Sequence, residues 1–477
     1  MSASNSQYST IEQIDEIYAR VAQTWKSGVT RPLDYRRRQL LQLARMIQEN
    51  KTLWEDAVLA DLGKHRQECA STELGPTVHG ALHAAENLED WARPEKPKVD
   101  SWRQNWDATV YPVPKGTALL ISPWNFPIVL TLLPLVGAIA AGCPVVIKPS
   151  ELTPTVSALL ARMIEQYLDP NAYVVIQGAI PETTKLLELR WAHILYTGSG
   201  RVGRLVAAAA AKHVTPVTLE LGGKSPVIIA PDADLDLAAR RVLFGKVQNS
   251  GQLCVTPDYV LVPTAIASDF KAAMLKAYAS FFPINPLDAE SQWSKIVNHA
   301  QYQRLMNLIL TTKGTVIAGG VGDFRRRIAT TIVSDVGLDD PLMEEELFGP
   351  ILPIVEVEDV DAAISVVADR HSPLALYVFS NDETVKQKCL DRTNSGSLIF
   401  NDTVWQIVVH EMPFGGIGES GYGSYFSKNT FDVFTHRRSY CNMPAELEPF
   451  IGHRYPPYTD DSYKIMCANV NLPIPKN

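Results

Sequence analysis

The chain has 477 residues, of which 46% are hydrophobic and 20% charged, with a net charge of −8. That length allows two full domains with large cores, and the acidic balance argues against a nucleic-acid partner. The short runs Arg36-Arg37-Arg38 and Arg325-Arg326-Arg327 read as solvated helix or loop faces. Cys69, Cys143, Cys254, Cys389, Cys441 and Cys467 show no CxxC spacing, and no His/Cys/Asp spacing suits a metal. The polar N-terminus has no signal-peptide pattern, so a reducing, cytoplasmic setting is expected.

In chain order, Ile11–Trp25 and Leu40–Leu62 carry apolar residues at helical spacing, and Gly63 ends the second helix. From Gly116 to Ile147 there is no charge, but Pro123, Pro127, Pro134 and Pro144 interrupt the run. A membrane span needs roughly 20 helical apolar residues, so the stretch reads as strand, loop, buried helix and strand. Apolar runs follow at Ala118–Ile121, Val145–Ile147, Tyr173–Ile176 and Ile194–Tyr196, with helices near Ile128–Ala141, Thr155–Tyr167 and Glu182–Leu189. A second alternation places strands at Val227–Ile229, Tyr259–Val262, Thr315–Ile317, Pro353–Val357 and Leu376–Phe379. Its helices include Leu235–Phe244 and Val360–Ala368. Buried strands alternating with helices mean α/β architecture with parallel sheets, here two such domains with a site between them at the strands' carboxyl ends. The tail after Cys441 reads as polar and Pro-rich, with no apolar anchor.

Thr197-Gly198-Ser199-Gly200-Arg201-Val202-Gly203 follows a strand and opens the Ala-rich helix Leu205–Lys212. Glycines there let backbone amides approach a pyrophosphate at a helix N-terminus, which the strand–turn–helix context favours over the alternative of a tight turn needing glycine. An acid about 20 residues on would hold ribose, which lands near Glu220. The rival is Lys148-Pro149-Ser150-Glu151 at the end of Val145–Ile147, where lysine and glutamate can reach ribose hydroxyls.

Cys254 lies in Asn249-Ser250-Gly251-Gln252-Leu253, a polar, loop-like run that suggests an exposed thiol. A thiol can hold a carbonyl carbon, and a carboxylate such as Glu220 can activate the water that releases it. No histidine lies nearby in sequence to lower the thiol pKa. Asn125, bracketed by Pro123 and Pro127, can serve as a fixed oxyanion donor or as an ordinary turn residue. Phe348 can pack on a cofactor ring or in the core.

Together these residues resemble the aldehyde dehydrogenase superfamily. The matching segments are Pro123–Pro127, Lys148–Glu151, Thr197–Ser199, Leu219–Lys224, Gly251–Cys254, Glu346–Pro350 and Pro413–Gly421. Phe431–His436 and the short N-terminus resemble the class-three and fatty aldehyde branch. The resemblance implies that Cys254 attacks an aldehyde, that Asn125 and the Cys254 N–H hold the oxyanion, and that hydride leaves to the nicotinamide. Glu220 then activates water against the thioester, so its assignment to ribose loses. Lys148 and Glu151 would contact the adenosine ribose, Gly198 and Ser199 the pyrophosphate side, and Glu346 and Phe348 the nicotinamide ribose. Trp124 and Leu221 complete the expected cofactor site.

The resemblance further implies two Rossmann-like domains and a small β bridging arm that pairs subunits into a homodimer. The cofactor half would be 1–95 with 115–219, the catalytic half 220–425, the arm 96–114 with 426–445, and the tail 446–477. NAD is the expected cofactor, because Glu151 repels a 2′-phosphate, with NADP possible. The substrate is expected to be an apolar aldehyde, medium- or long-chain aliphatic, aromatic or terpenoid-derived, with Trp405, Ile407, Val408 and Val409 at the tunnel mouth. Leu253 departs from the threonine usual in the branch. The alternatives are a CoA-acylating dehydrogenase, which needs no hydrolytic base, and a non-catalytic protein retaining the fold.

Overall fold

In the computed structural model, which describes residues 8–288 and 293–475, β1 (Thr109–Pro114) precedes the uncharged stretch. That stretch forms β2 (Ala118–Ile121), the helix Val129–Ala141 and β3 (Val145–Lys148), and all residues of both strands are buried. β4 (Tyr173–Val175), β5 (His193–Gly198) and β6 (Val217–Leu221) follow, each after a helix. The second series is β7 (Pro226–Ile229), β8 (Tyr259–Pro263), β9 (Thr315–Ala318), β10 (Thr331–Ser334), β11 (Ile351–Val357), β12 (Ala375–Phe379) and β13 (Ser397–Phe400). β14 (Gly421–Tyr422) and β15 (Thr435–Tyr440) close the strand order.

Two sheets result, ordered β14-β6-β5-β2-β3-β4 and β13-β12-β7-β8-β11-β10-β9. Pairing is parallel except that β14 runs against β6, and β9 against β10. In the first sheet the chain steps from β2 to β3 to β4, then returns to the other side of β2 with β5 and β6. Ligands in such sheets bind where the order reverses, outside the strands' carboxyl ends. The loops after β2, β3 and β5 carry Asn125, Lys148 to Glu151, and Ser199, so the topology gathers these segments at one crevice. The two sheets share an apolar core: Phe126, Val129 and Leu133 cluster with Val227, Val260 and Leu352. Each such side chain stabilises by about 1.5–3 kcal/mol when fully buried.

Three local expectations need correction. Leu40–Leu62 is not one helix but parts of two, Leu33–Glu49 and Lys51–Leu62. Asn50 breaks it, because its amide donates to Met46 O at 3.0 Å and so competes with the backbone ladder. Arg36 is not solvated. It is buried, donating to Ala140 O at 3.1 Å and to Thr30 O at 3.3 Å, and it satisfies the carboxyl end of Val129–Ala141. The Ala-rich helix starts earlier than expected, at Gly200, directly after the N-cap Ser199.

Residues 92–113 and 436–475 form a separate small unit. In it β1 pairs with β15, Arg437 pairs with Glu95, and Tyr111 meets Tyr440 edge-on at 5.8 Å. Its last part holds the short helices Glu448–Ile451 and Asp460–Met466, with Phe450, Val470 and Ile474 exposed. Among the described residues no helix is long and apolar enough to cross a membrane.

Candidate active site

Cys254 sits just past a strained turn. Asn249, Ser250 and Gly251 take φ of 46°, 53° and 70°, three consecutive left-handed residues. Such backbone persists only where the surroundings hold it. Asn249 N donates to Glu68 Oε1 at 2.7 Å, and Asn249 Nδ2 to Asn125 O at 2.8 Å. Ser250 Oγ donates to Ser294 O at 2.6 Å, and the Gln252 amide ties Asn249 O, Lys295 O and Val297 N. A Cβ on Gly251 would lie 2.3 Å from Gly349 O, so only glycine fits there.

The polar side chains that suggested an exposed thiol are therefore spent on holding the loop. Cys254 is only half-exposed and opens into an apolar cavity. Phe126, Val129, Leu253 and Val255 are among its lining residues. Trp405, Ile407 and Val408 line it as expected, but Val409, one residue past the 3-10 turn Trp405–Val408, does not.

Burial pushes the Cys254 thiol up, and the negative charges of Glu346 and Glu220 add to this, while the backbone N–H groups of Cys254 and Val255 oppose it. The resting sulfur is therefore a neutral thiol. Glu220 lies on β6 between Thr197 of β5 and Gly421 of β14, and is almost wholly buried. Neither of its carboxyl oxygens has a partner, and burial raises its pKa well above the carboxylate range. Glu346 is pushed up to about 8, first by burial and then by Asp258. Its Oε1 is buried without a partner, and its Oε2 lies 2.1 Å from where a Cβ on Gly222 would stand. Structures rarely leave buried acceptors unpaired, so each orphan marks a place for a ligand group or water.

Asn125 is buried in the loop after β2. Its Nδ2 donates to Gln252 O at 3.1 Å, which ties it to the nucleophile loop, and its second N–H remains to serve a ligand. Its carbonyl accepts from Lys64 Nζ at 3.2 Å. Lys64 forms a fully buried 2.8 Å ion pair with Glu73 and sits 3.7 Å from the Phe126 ring centre. Glu73 Oε2 accepts from Ile128 N at 2.8 Å. Sequence reasoning missed Lys64, Glu68 and Glu73, because charges in a helical stretch read as solvated. The one available signal was Gly63, which turns the chain inward at Lys64 with φ 65°.

Trp124 meets Phe348 edge-on at 5.3 Å, and Phe348 has φ 48°. Lys148 is buried. It donates to Gly178 O at 2.7 Å and pairs with Glu151 at 3.3 Å. Gly198 ends β5, Ser199 caps the helix from Gly200, and Leu221 lies beneath Gly203. The Cys254 thiol thus feels Glu346 and Glu220, and Asn125 is hydrogen-bonded to its loop, whereas Lys148, Glu151 and Ser199 stand at the strand ends of the first sheet.

Two open, mostly parallel sheets with a thiol lining an apolar cavity suit an α/β enzyme whose site lies beyond the strand ends. Residues 3–440 match the aldehyde dehydrogenase family. The chain is 42% identical over 449 residues to the rat protein named aldehyde dehydrogenase, dimeric NADP-preferring, covering 94% of this chain and 98% of that one. It is 42% identical to mouse aldehyde dehydrogenase family 3 member A2, covering 92% and 91%. The solved substrate-bound AldH of Staphylococcus aureus is 36% identical, with TM-score 0.92, covering 96% of this chain and 99% of that one. The chain therefore belongs to the aldehyde dehydrogenase family and is an NAD(P)-dependent aldehyde-oxidising enzyme.

Proposed function

We propose that the enzyme converts apolar aldehydes (medium- or long-chain aliphatic, aromatic or terpenoid-derived) to carboxylic acids through a thioester on Cys254. One observation carries this: the half-buried Cys254 thiol lines an apolar cavity, and the carboxyls of buried Glu220 and half-buried Glu346, with buried unpaired oxygens, lie close enough to bias it. Leu253 adds a further apolar wall.

The Cys254 sulfur bonds the carbonyl carbon, its proton passes to the carbonyl oxygen as the adduct forms, and that proton leaves to solvent when the hydride leaves the carbon. The free N–H of Asn125 and the Cys254 amide stabilise the charge developing on that oxygen. Glu346, Phe348 and Trp124 would hold the nicotinamide end of NAD or NADP, Lys148 and Glu151 the adenosine ribose, and Gly198, Ser199 and Leu221 the span between. The orphan Glu346 oxygen suits a ribose hydroxyl. Bound NAD or NADP supplies the hydride acceptor that makes the oxidation to thioester possible. Glu220, in its ionised form, takes a proton from water as the water adds to the thioester carbon. It returns that proton to sulfur as the C–S bond breaks.

If Glu151, paired with Lys148 at 3.3 Å, holds the adenosine ribose, its charge would repel a 2′-phosphate, which supports NAD. The cofactor half is assigned to 1–95 with 115–219 and the catalytic half to 220–425. A homodimer through the β1–β15 arm and a reducing, cytoplasmic setting for the six free cysteines complete the reading. The test is absorbance at 340 nm over an aldehyde chain-length panel. Decanal preferred over acetaldehyde and polar semialdehydes is expected; the reverse order would defeat the substrate assignment.

A further inference from the structure

Tyr377, on β12, is fully buried in the core beside the catalytic loop. Its hydroxyl donates to Val255 O at 2.5 Å, one residue past the nucleophile. It accepts from Val404 N and from Gln406 Nε2, each at 3.2 Å. A phenol has one proton and two lone pairs, and all are used here to join two segments distant in sequence. One is the nucleophile loop. The other is the wall Val404–Val408, of which Val404, Trp405, Ile407 and Val408 line the aldehyde cavity.

The two ends of this link are not equally secure. The nucleophile loop has its own ties through Asn249, Ser250 and Gln252. The wall is anchored on its entry side by Thr403 Oγ1, which donates to Arg241 O at 2.6 Å. Beyond that, its turn bonds are internal, Ile407 N to Val404 O and Val409 N to Gln406 O. Val404 also sits at φ 67°, ψ −33°, a conformation that a β-branched residue adopts only under restraint. Core packing of its side chain and the phenol bond to its N–H together hold that residue.

We propose that Tyr377 is a positioning residue that sets the cavity wall against Cys254 and so determines which aldehyde lengths are accepted. This rests on the reading of the cavity as the aldehyde site. Each buried methylene tightens binding by about fourfold, so a ten-carbon aldehyde depends on the wall far more than a three-carbon one.

The test compares propanal and decanal with NAD, using full-length wild type and Tyr377→Phe. Loss of the hydroxyl leaves two buried donors and one acceptor short of a partner. The expected result is a KM for decanal raised about tenfold. The KM for propanal, both kcat values and the Kd of NAD should each move by less than about twofold. Equal rises for both aldehydes, or an unchanged KM for decanal, overturn the proposal. If Tyr377→Phe does not fold, Gln406→Leu removes one of the three bonds and leaves the core ring in place. It is expected to raise the decanal KM alone, by about two- to threefold, and an equal effect on both aldehydes again overturns the proposal. A wild type that reduces NAD with neither aldehyde defeats the underlying aldehyde reading instead, before any variant is measured.

Discussion

Replacing Lys64 by methionine removes one half of a fully buried ion pair and leaves the other charge in place. Glu73 keeps its bonds from Ile128 N and Val129 N but loses its 2.8 Å partner. Breaking a buried pair from one side costs about 3–5 kcal/mol, because the remaining charge is uncompensated. The Asn125 carbonyl also loses the Lys64 donor and keeps only Asn249 Nδ2. Urea unfolding followed by tryptophan fluorescence should therefore show Lys64→Met destabilised by about 4 kcal/mol. The double variant with Glu73→Gln should recover at least about half of that, because the amide oxygen can still accept the helix N–H groups and the Glu73 charge is no longer stranded. A single variant within about 1 kcal/mol of wild type, or a double variant no better than the single, would refute the reasoning.

Further outcomes follow from the site. Burial raises the Glu220 pKa well above the carboxylate range, so on the proposed mechanism the ionised form that activates water grows as pH rises. Under thioester-limited conditions kcat should increase with pH, and Glu220→Gln should lose the increase along with at least about 100-fold of kcat. Glu346 is raised to about 8, so the folded, cofactor-free protein binds its proton more tightly than the unfolded chain does. The resulting stability is present at acid pH and is lost as pH rises towards 8, so the melting temperature should fall over that window, and less steeply in Glu346→Gln. Gly222→Ala would drive a methyl onto the Glu346 carboxylate. Titration should show the Kd for NAD raised about tenfold or more, whereas Gly452→Ala, with open space at its Cβ, should be silent. On the proposed ribose role of Glu151, Glu151→Gln removes a charge that would repel a 2′-phosphate. It should raise kcat/KM for NADP relative to NAD by about tenfold, read from paired initial rates.

Much of the fold was legible because the strands are short apolar runs punctuated by glycine and proline. Pro123, Pro127 and Gly142 bracket the buried helix in the sequence as they do in the structure. Glu220, Cys254 and Asn125 stood out because each lies beside residues that force a turn or a strand end. The supports of the site were not legible. Lys64, Glu68 and Glu73 look like ordinary helix-surface charges, and only the wide turn Ala70–Leu74 carries Glu73 into the interior. Tyr377 sits in Leu376-Tyr377-Val378-Phe379, where an aromatic reads as core, and only its hydroxyl partners set it apart. The exposed-thiol expectation failed for a related reason: Asn249, Ser250 and Gln252 are polar in order to bind backbone, not water. Arg36 was misjudged because a helix carboxyl end from a distant segment meets it.

The central claim is that Cys254 carries the acyl group and Glu220 releases it. Intact-mass measurement of Glu220→Gln after mixing with NAD and decanal tests it most directly. The account predicts stoichiometric NADH and a chain heavier by the aldehyde less two hydrogens, with the added mass on the peptide containing Cys254. Stoichiometric NADH with no adduct, or an adduct on any of the other five cysteines, would contradict it.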